Sequence, residues 1–108
     1  LTVTLEWLDL DGEQLPTVYA LHQNHPNPFN PTTQINYDLP EDAFITINIY
    51  NLIGRNIKSF INLYESAGNS SVQWDATNNY GEPVSAGIYI YTIQTGDFRA
   101  TKKMALLK

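Results

Sequence analysis

The fold class the sequence predicts is all-β: a two-sheet antiparallel β-sandwich of about seven strands. Three observations carry it. Short segments alternate apolar and polar residues with the period of a pleated strand. Those segments are rich in β-branched and aromatic residues, and Gly, Pro and Asn punctuate them. No stretch sustains a helical period.

The elements follow in order. Leu1, Val3, Leu5 and Trp7 alternate with Thr2, Thr4 and Glu6, and residues 9–12 read as a turn. Residues 9–17, with Pro16, are the one plausible boundary. Residues 1–14 are therefore expected to be the end of an upstream domain or a linker strand, and 15–108 the domain proper. Residues 35–39 form a strand stopped by Pro40, and in residues 45–50 the isoleucines Ile45, Ile47 and Ile49 fall on one face. Gly54 marks the turn into a strand over 56–61. A short strand at 71–74, ending at Trp74, follows a turn at Gly68 and Asn69. In residues 87–95 Ile88 and Ile90 stand opposite Tyr89 and Tyr91. Gly96 at the first central position of a two-residue turn then predicts a hairpin into residues 98–107.

One stretch fits no element. In HPNPFNPTT, residues 25–33, Pro26, Pro28 and Pro31 each fix φ and remove a backbone donor, and Asn27 and Asn30 are pushed towards extended conformations. The expectation is a stiff rod that docks at low entropic cost, with Phe29 as its only large apolar anchor.

The 108 residues amount to one domain that can bury a core without cross-links, and there is no cysteine to supply any. A net charge of −5 argues against nucleic acid or an anionic membrane as partner. No apolar run could insert stably in a bilayer, and a start at Leu1 without an initiator Met suggests a piece of a longer protein.

Candidates for chemistry are sparse. His22 and His25 sit in the proline-rich segment, where their spacing brings no two metal ligands together. Glu41 and Asp42 read as a solvated turn, without a second acid or a histidine to shift a pKa. Residues 75–81 offer oxygens as calcium loops do, but Tyr80 stands where that register wants glycine, so an Asx-type turn is expected. No nucleophile elbow or phosphate loop is present, and the reading is a non-catalytic protein without a cofactor. Trp74, Tyr80, Tyr89 and Tyr91 could form a sugar platform or fill the core. Arg99, Lys102, Lys103 and Lys108 follow Asp97 with no acid among them, as a lysine-guarded edge strand or a recognition patch.

The stretches LPTVYALHQNHPNPFNPTTQINYDLPE, IYNLIGRNI, SVQWDATNNYGEPVSAGIYIYTI and TKKMALLK closely resemble the type A C-terminal sorting domain of the type IX secretion system. The pattern overlaps with the immunoglobulin-like domain of flagellar hook-capping proteins. In order, the shared features are Pro26, Asn27, Pro28, Phe29, Asn30 and Pro31, the turn at Gly54, the pair Trp74 and Asp75, the strand opened by Gly87 and Tyr89, and a basic-apolar terminus. The resemblance implies an immunoglobulin-like or fibronectin-like sandwich acting as a secretion signal. Its partners would be an N-terminal cargo domain, the translocon and a cell-surface sortase that commonly removes the domain. It also implies a route through the periplasm and outer membrane to the surface or beyond, with Lys102, Lys103, Met104, Leu106 and Lys108 as candidate recognition residues. A carbohydrate-binding or adhesive accessory module is the alternative.

Overall fold

A computed structural model describes residues 15–107. The strand expected at 1–7, the turn at 9–12, the boundary near 14 and Lys108 lie outside the described residues. The elements are β1 (Ala20–Leu21), β2 (Thr33–Leu39), β3 (Ala43–Asn51), β4 (Asn56–Glu65), β5 (Gly68–Trp74), β6 (Gly87–Thr95) and β7 (Phe98–Leu106). One sheet has the order β1-β2-β5 and the other β4-β3-β6-β7, with every pairing between strands antiparallel. The described residues form no helix, so no helix is long and apolar enough to cross a membrane.

Alternation explains the core. Ile35, Tyr37 and Leu39 of β2 face Ile45, Ile47 and Ile49 of β3, Tyr89, Tyr91 and Ile93 of β6, and Met104 and Leu106 of β7, all buried. The three isoleucines share one buried face, as the sequence predicts. Trp74 closes one end of the core, its ring edge-on to Tyr89 at 5.4 Å and its Nε1 donating to the Thr77 carbonyl at 2.8 Å. Gly96 has φ 54° while Asp97 does not enter the left-handed region, which is the pattern of a hairpin turn matched to the twist of its strands.

Strands β2 and β3 each begin two residues earlier than in the sequence reading, and three departures are larger. Strand β4 continues past Ile61 to Glu65, because a bulge places two residues opposite Thr46 and puts Asn62 at φ 54°. The bulge moves the inward phase from Phe60 to Leu63, so the apolar alternation stops although the strand does not. Gly68 and Asn69 lie inside β5, paired with Leu39 and Asp38; the turn is one step earlier, where Asp42 Oδ1 accepts from the Ala67 amide at 2.8 Å. Strand β1, only two residues long, is too short for any period to reveal.

The proline segment is not a straight rod. It bends at 26–28 and again at 30–31 and crosses from one sheet to the other. At its start His25 exchanges both backbone bonds with Gln34 of β2, each 2.9 Å. At its far end the Phe29 amide donates to the Ala105 carbonyl (3.0 Å) and the Leu107 amide donates to the Phe29 carbonyl (2.8 Å), a parallel bridge onto β7. Between these anchors, prolines at 26 and 28 leave no amide hydrogen to orphan, which suits a crossing that has no ladder of its own. The Phe29 ring is 1% exposed and lies 5.8 Å from Trp74.

A buried polar network secures the entry to this crossing. The Tyr91 hydroxyl donates to the His22 carbonyl (2.7 Å) and accepts from the Asn24 amide (2.8 Å). Asn24 Nδ2 donates to Thr33 Oγ1 at 3.0 Å, and Thr33 Oγ1 donates to the Pro26 carbonyl at 2.8 Å. Burial pushes the Tyr91 phenol up to about 12, opposed in part by the Asn24 amide. Tyr37 is raised too, first by burial and then by the nearby Glu65 charge, but its hydroxyl is buried without a hydrogen-bond partner in acceptable geometry among the described residues.

Phe29→Ala should cost about 3 to 5 kcal/mol in denaturant unfolding, and an unchanged midpoint would show that the ring does not brace the sheets. Tyr91→Phe should cost about 1 to 3 kcal/mol because it strands the Asn24 amide, whereas Tyr37→Phe should be neutral or stabilising. Because the folded Tyr91 pKa is raised, its contribution is complete below pH 10 and is lost as pH rises from 10 to about 12. Stability of the parent protein should therefore fall more steeply across that window than that of Tyr91→Phe.

Candidate functional site

One end of the sandwich carries a cluster of carboxylates. At this end lie the β2–β3 turn, the β4–β5 turn and the β6–β7 hairpin, carrying Glu41, Asp42, Glu65 and Asp97. Tyr19, stacked on Phe98 at 5.3 Å and donating its hydroxyl to Glu41, brings the preceding chain in at this acidic end. The Glu41 hydrogen bond raises the Tyr19 pKa, and Asp42 does the same to Tyr64.

The other end gathers the β3–β4 turn, the β5–β6 loop, the proline segment and the end of β7. The turn is built by Asn51, whose Oδ1 accepts from the amides of Ile53 (3.2 Å) and Arg55 (2.9 Å). Gly54, at φ 86°, closes it with its amide on the Asn51 carbonyl at 3.0 Å. This leaves Leu52 and Ile53 at the tip, Ile53 being 79% exposed. Two shallow clefts flank the tip: one of about 460 Å³ between Leu52, Ile57, Val84 and Ile88, and one of about 370 Å³ between Asn27, Leu52, Ile88, Lys103 and Ala105. Ile88 and Leu107 add exposed apolar surface.

The structure places the sequence-selected residues unevenly around this end. Asn27 Oδ1 accepts from the Ala105 amide at 3.0 Å, and Pro26, Pro28, Asn30 and Pro31 stay exposed around the buried Phe29. Gly87, at φ 152°, pairs with Leu106 at the start of β6, and the Tyr89 hydroxyl donates to the Ser85 carbonyl at 2.6 Å. Met104 and Leu106 face the core, whereas Lys102 and Lys103 project from opposite faces of their sheet. Lys102 is half-buried on the side of its partner Tyr91; Lys103 is exposed beside Ile90 and lines the second cleft. Leu52, Ile53 and Ile88 were not selected from the sequence. The available signal was an apolar pair at the centre of a Gly-closed turn, where polar residues are usual.

Other candidates resolve into local structure. His22 Nε2 lies 2.8 Å from Asp38 Oδ2, and no group of three metal-ligating side chains occurs among the described residues. In the 75–81 loop, Asn78 Oδ1 accepts from the amides of Tyr80 (2.9 Å) and Glu82 (3.0 Å), an Asx-type turn, while Asp75 Oδ1 accepts from Thr77 Oγ1. Trp74, Tyr89 and Tyr91 are buried and only Tyr80 of that set is exposed, so these rings form no planar row for a sugar.

These features define a small β-sandwich with an apolar, partly basic surface at the end remote from its chain entry. A family model described as "Secretion system C-terminal sorting domain" matches residues 23–106, and the chain belongs to that family. Sorting domains of this kind, typically non-catalytic, mark proteins for the type IX secretion route through the outer membrane to the cell surface or outside. No curated protein matches the chain in sequence.

Among solved structures, the chain is similar to dimeric latent PorU from Porphyromonas gingivalis, with 20% identity, a TM-score of 0.66, and coverage of 83% of this chain and 9% of that one. It is also similar to PorZ of the same organism, a surface component of the type IX secretion system, with 19% identity, a TM-score of 0.58, and coverage of 94% and 12%. The hook-capping protein FlgD from Xanthomonas campestris matches at 22% identity with a TM-score of 0.56, covering 84% of this chain and 63% of that one. At these identities the likeness speaks to the fold. The chain spans about a tenth of the length of the first two.

Proposed function

We propose that residues 15–108 act as a folded, non-catalytic secretion signal read at the Leu52–Ile88–Lys103 end, with the cargo held at the opposite, acidic end. The observation that carries this reading is the segregation of the two ends. Chain entry and the carboxylates Glu41, Asp42, Glu65 and Asp97 sit at one, while the Leu52–Ile53 tip, the two clefts and the end of β7 sit at the other. A translocon component would meet Leu52, Ile53 and Ile88 as an apolar contact and Lys103 as the flanking charge, which is the usual division between a desolvated centre and a polar rim. Removal of the domain by a cell-surface sortase after translocation would complete the cycle. A sugar-binding module finds no support in the buried rings.

Fusing residues 15–108 to a periplasmic reporter in a type IX-competent cell tests this. The parent fusion should reach the cell surface or medium, and a folded fusion retained in the periplasm would sink the sorting reading. Leu52→Ser with Ile53→Ser should reduce export. Lys103→Gln should reduce it more than Lys102→Gln, since only Lys103 lines the cleft. Both lysine changes should alter stability by less than about 1 kcal/mol, so melting curves separate lost recognition from lost fold. Equal export of every variant would move the recognition surface elsewhere on the domain.

A further inference from the structure

Strand β7 is the last strand of its sheet; main-chain bonds cover only the Ala105 half of its outer edge, while Tyr19 stacks on Phe98 and β1 packs against the strand from the other sheet. The backbone groups of its odd-numbered residues point away from β6. Those of Ala105 meet Asn27 and Phe29, and the Lys103 carbonyl accepts from Gln23 Nε2 at 2.7 Å. Further along the same row, the amides and carbonyls of Arg99 and Thr101 and the amide of Lys103 have no hydrogen-bond partner among the described residues. The open stretch is therefore five residues long, a row of unmet donors and acceptors at strand spacing.

Side chains give that row a sign. Arg99, Thr101 and Lys103 share the outer face, with the two cations four residues apart, and Lys102 lies on the other face. Strand β7 contains no acid. The other sheet edges lack this combination. The β4 edge is broken by the bulge at Asn62 and covered near Ser59 by Asn79, β1 has two residues, and the β5 edge carries the uncharged Asn69, Ser71 and Gln73.

We propose that the open half of β7, residues 99–103, receives an extended acidic segment of a partner protein as an added strand, with carboxylates four residues apart beside Arg99 and Lys103. Main-chain bonds would supply affinity and the two cross-strand ion pairs the choice of partner. A second copy of the chain does not fit, because antiparallel β7–β7 pairing sets Arg99 beside Lys103 and opposes like charges. The proposal goes beyond the sorting reading and rests on the edge geometry and charge of β7, so a binding experiment can fail or succeed independently of export.

The test uses the full chain and the synthetic peptide Thr-Val-Glu-Val-Thr-Val-Glu-Val-Thr, with a control carrying Lys in place of Glu. Binding should slow amide hydrogen exchange at Arg99, Thr101 and Lys103 and leave Ala105 and Leu107 unchanged, and the Lys peptide should give no such protection. Arg99→Glu with Lys103→Glu should bind the acidic peptide about tenfold more weakly and gain protection from the Lys peptide. Thr101→Pro removes one outward-facing amide without touching the ladder to β6, so it should melt as a folded domain yet lose the protection at Arg99 and Lys103. Absence of protection in the parent protein overturns the proposal and leaves these cations as guards against edge-to-edge aggregation. Equal binding by a folded Thr101→Pro variant also overturns it, reducing the interaction to charge attraction.

Discussion

Everything at the C-terminal end of this sandwich depends on one side chain crossing the gap between its sheets. Phe29 fills the space beside Trp74, and its backbone adds a short parallel bridge to β7. Four residues earlier, His25 pairs with β2 in the other sheet. A sandwich is otherwise held by side-chain packing alone between sheets, which resists sliding weakly. Here main-chain hydrogen bonds tie both sheets to one stiff segment, and the buried network of Asn24, Thr33 and Tyr91 fixes where that segment begins. Proline serves this arrangement twice, by lowering the entropy lost on docking and by removing donors that a ladderless crossing could not satisfy.

That brace also gives the sheet edges different fates. Left uncovered, a strand edge is a template for pairing with other chains. Strand β4 is interrupted by its bulge and by the Asn79 loop, and β1 is too short to template anything. On β7 the Phe29 bridge covers the stretch around Ala105, while the stretch from Arg99 to Lys103 is left to charge. Charge suppresses pairing with neutral or like-charged strands but not with acidic ones, so the same residues guard the edge and select what can meet it.

Much of the fold was legible in the sequence, because burial on one face imposes period two wherever a strand is regular. The isoleucines of β3, the tyrosines of β6 and the hairpin at Gly96 and Asp97 follow directly. What escaped were places where tertiary context broke the period. The bulge at Asn62 inverts the inward phase of β4 midway, and Gly68 enters β5 because Asp42 holds the turn one residue earlier. The proline segment was recognisable as a docked brace around Phe29, yet its bends depend on two anchor points far apart in sequence. For the candidate surface, the basic residues of β7 stood out as a cluster. Alternation alone puts Lys102 and Lys103 on opposite faces, but only the register with β6 shows that Lys103 stands beside Ile90, and only the assembled end shows Leu52 and Ile88 beside it.

Such a surface has no existence in the unfolded chain. Asn27, Leu52, Ile88 and Ala105, which meet around one cleft, come from four separate segments, and residue 105 is tied to residue 29 across most of the domain. Ordering the end of β7 therefore requires β6 on one side and the docked proline segment on the other, and the clefts form only once both are in place. Loss of Phe29 packing or of the Tyr91 network would blur the surface without altering any residue on it. A signal presented this way reports the completed fold of its own domain, because contacts of large sequence separation are the ones whose loop-closure entropy must be overcome before the surface can form.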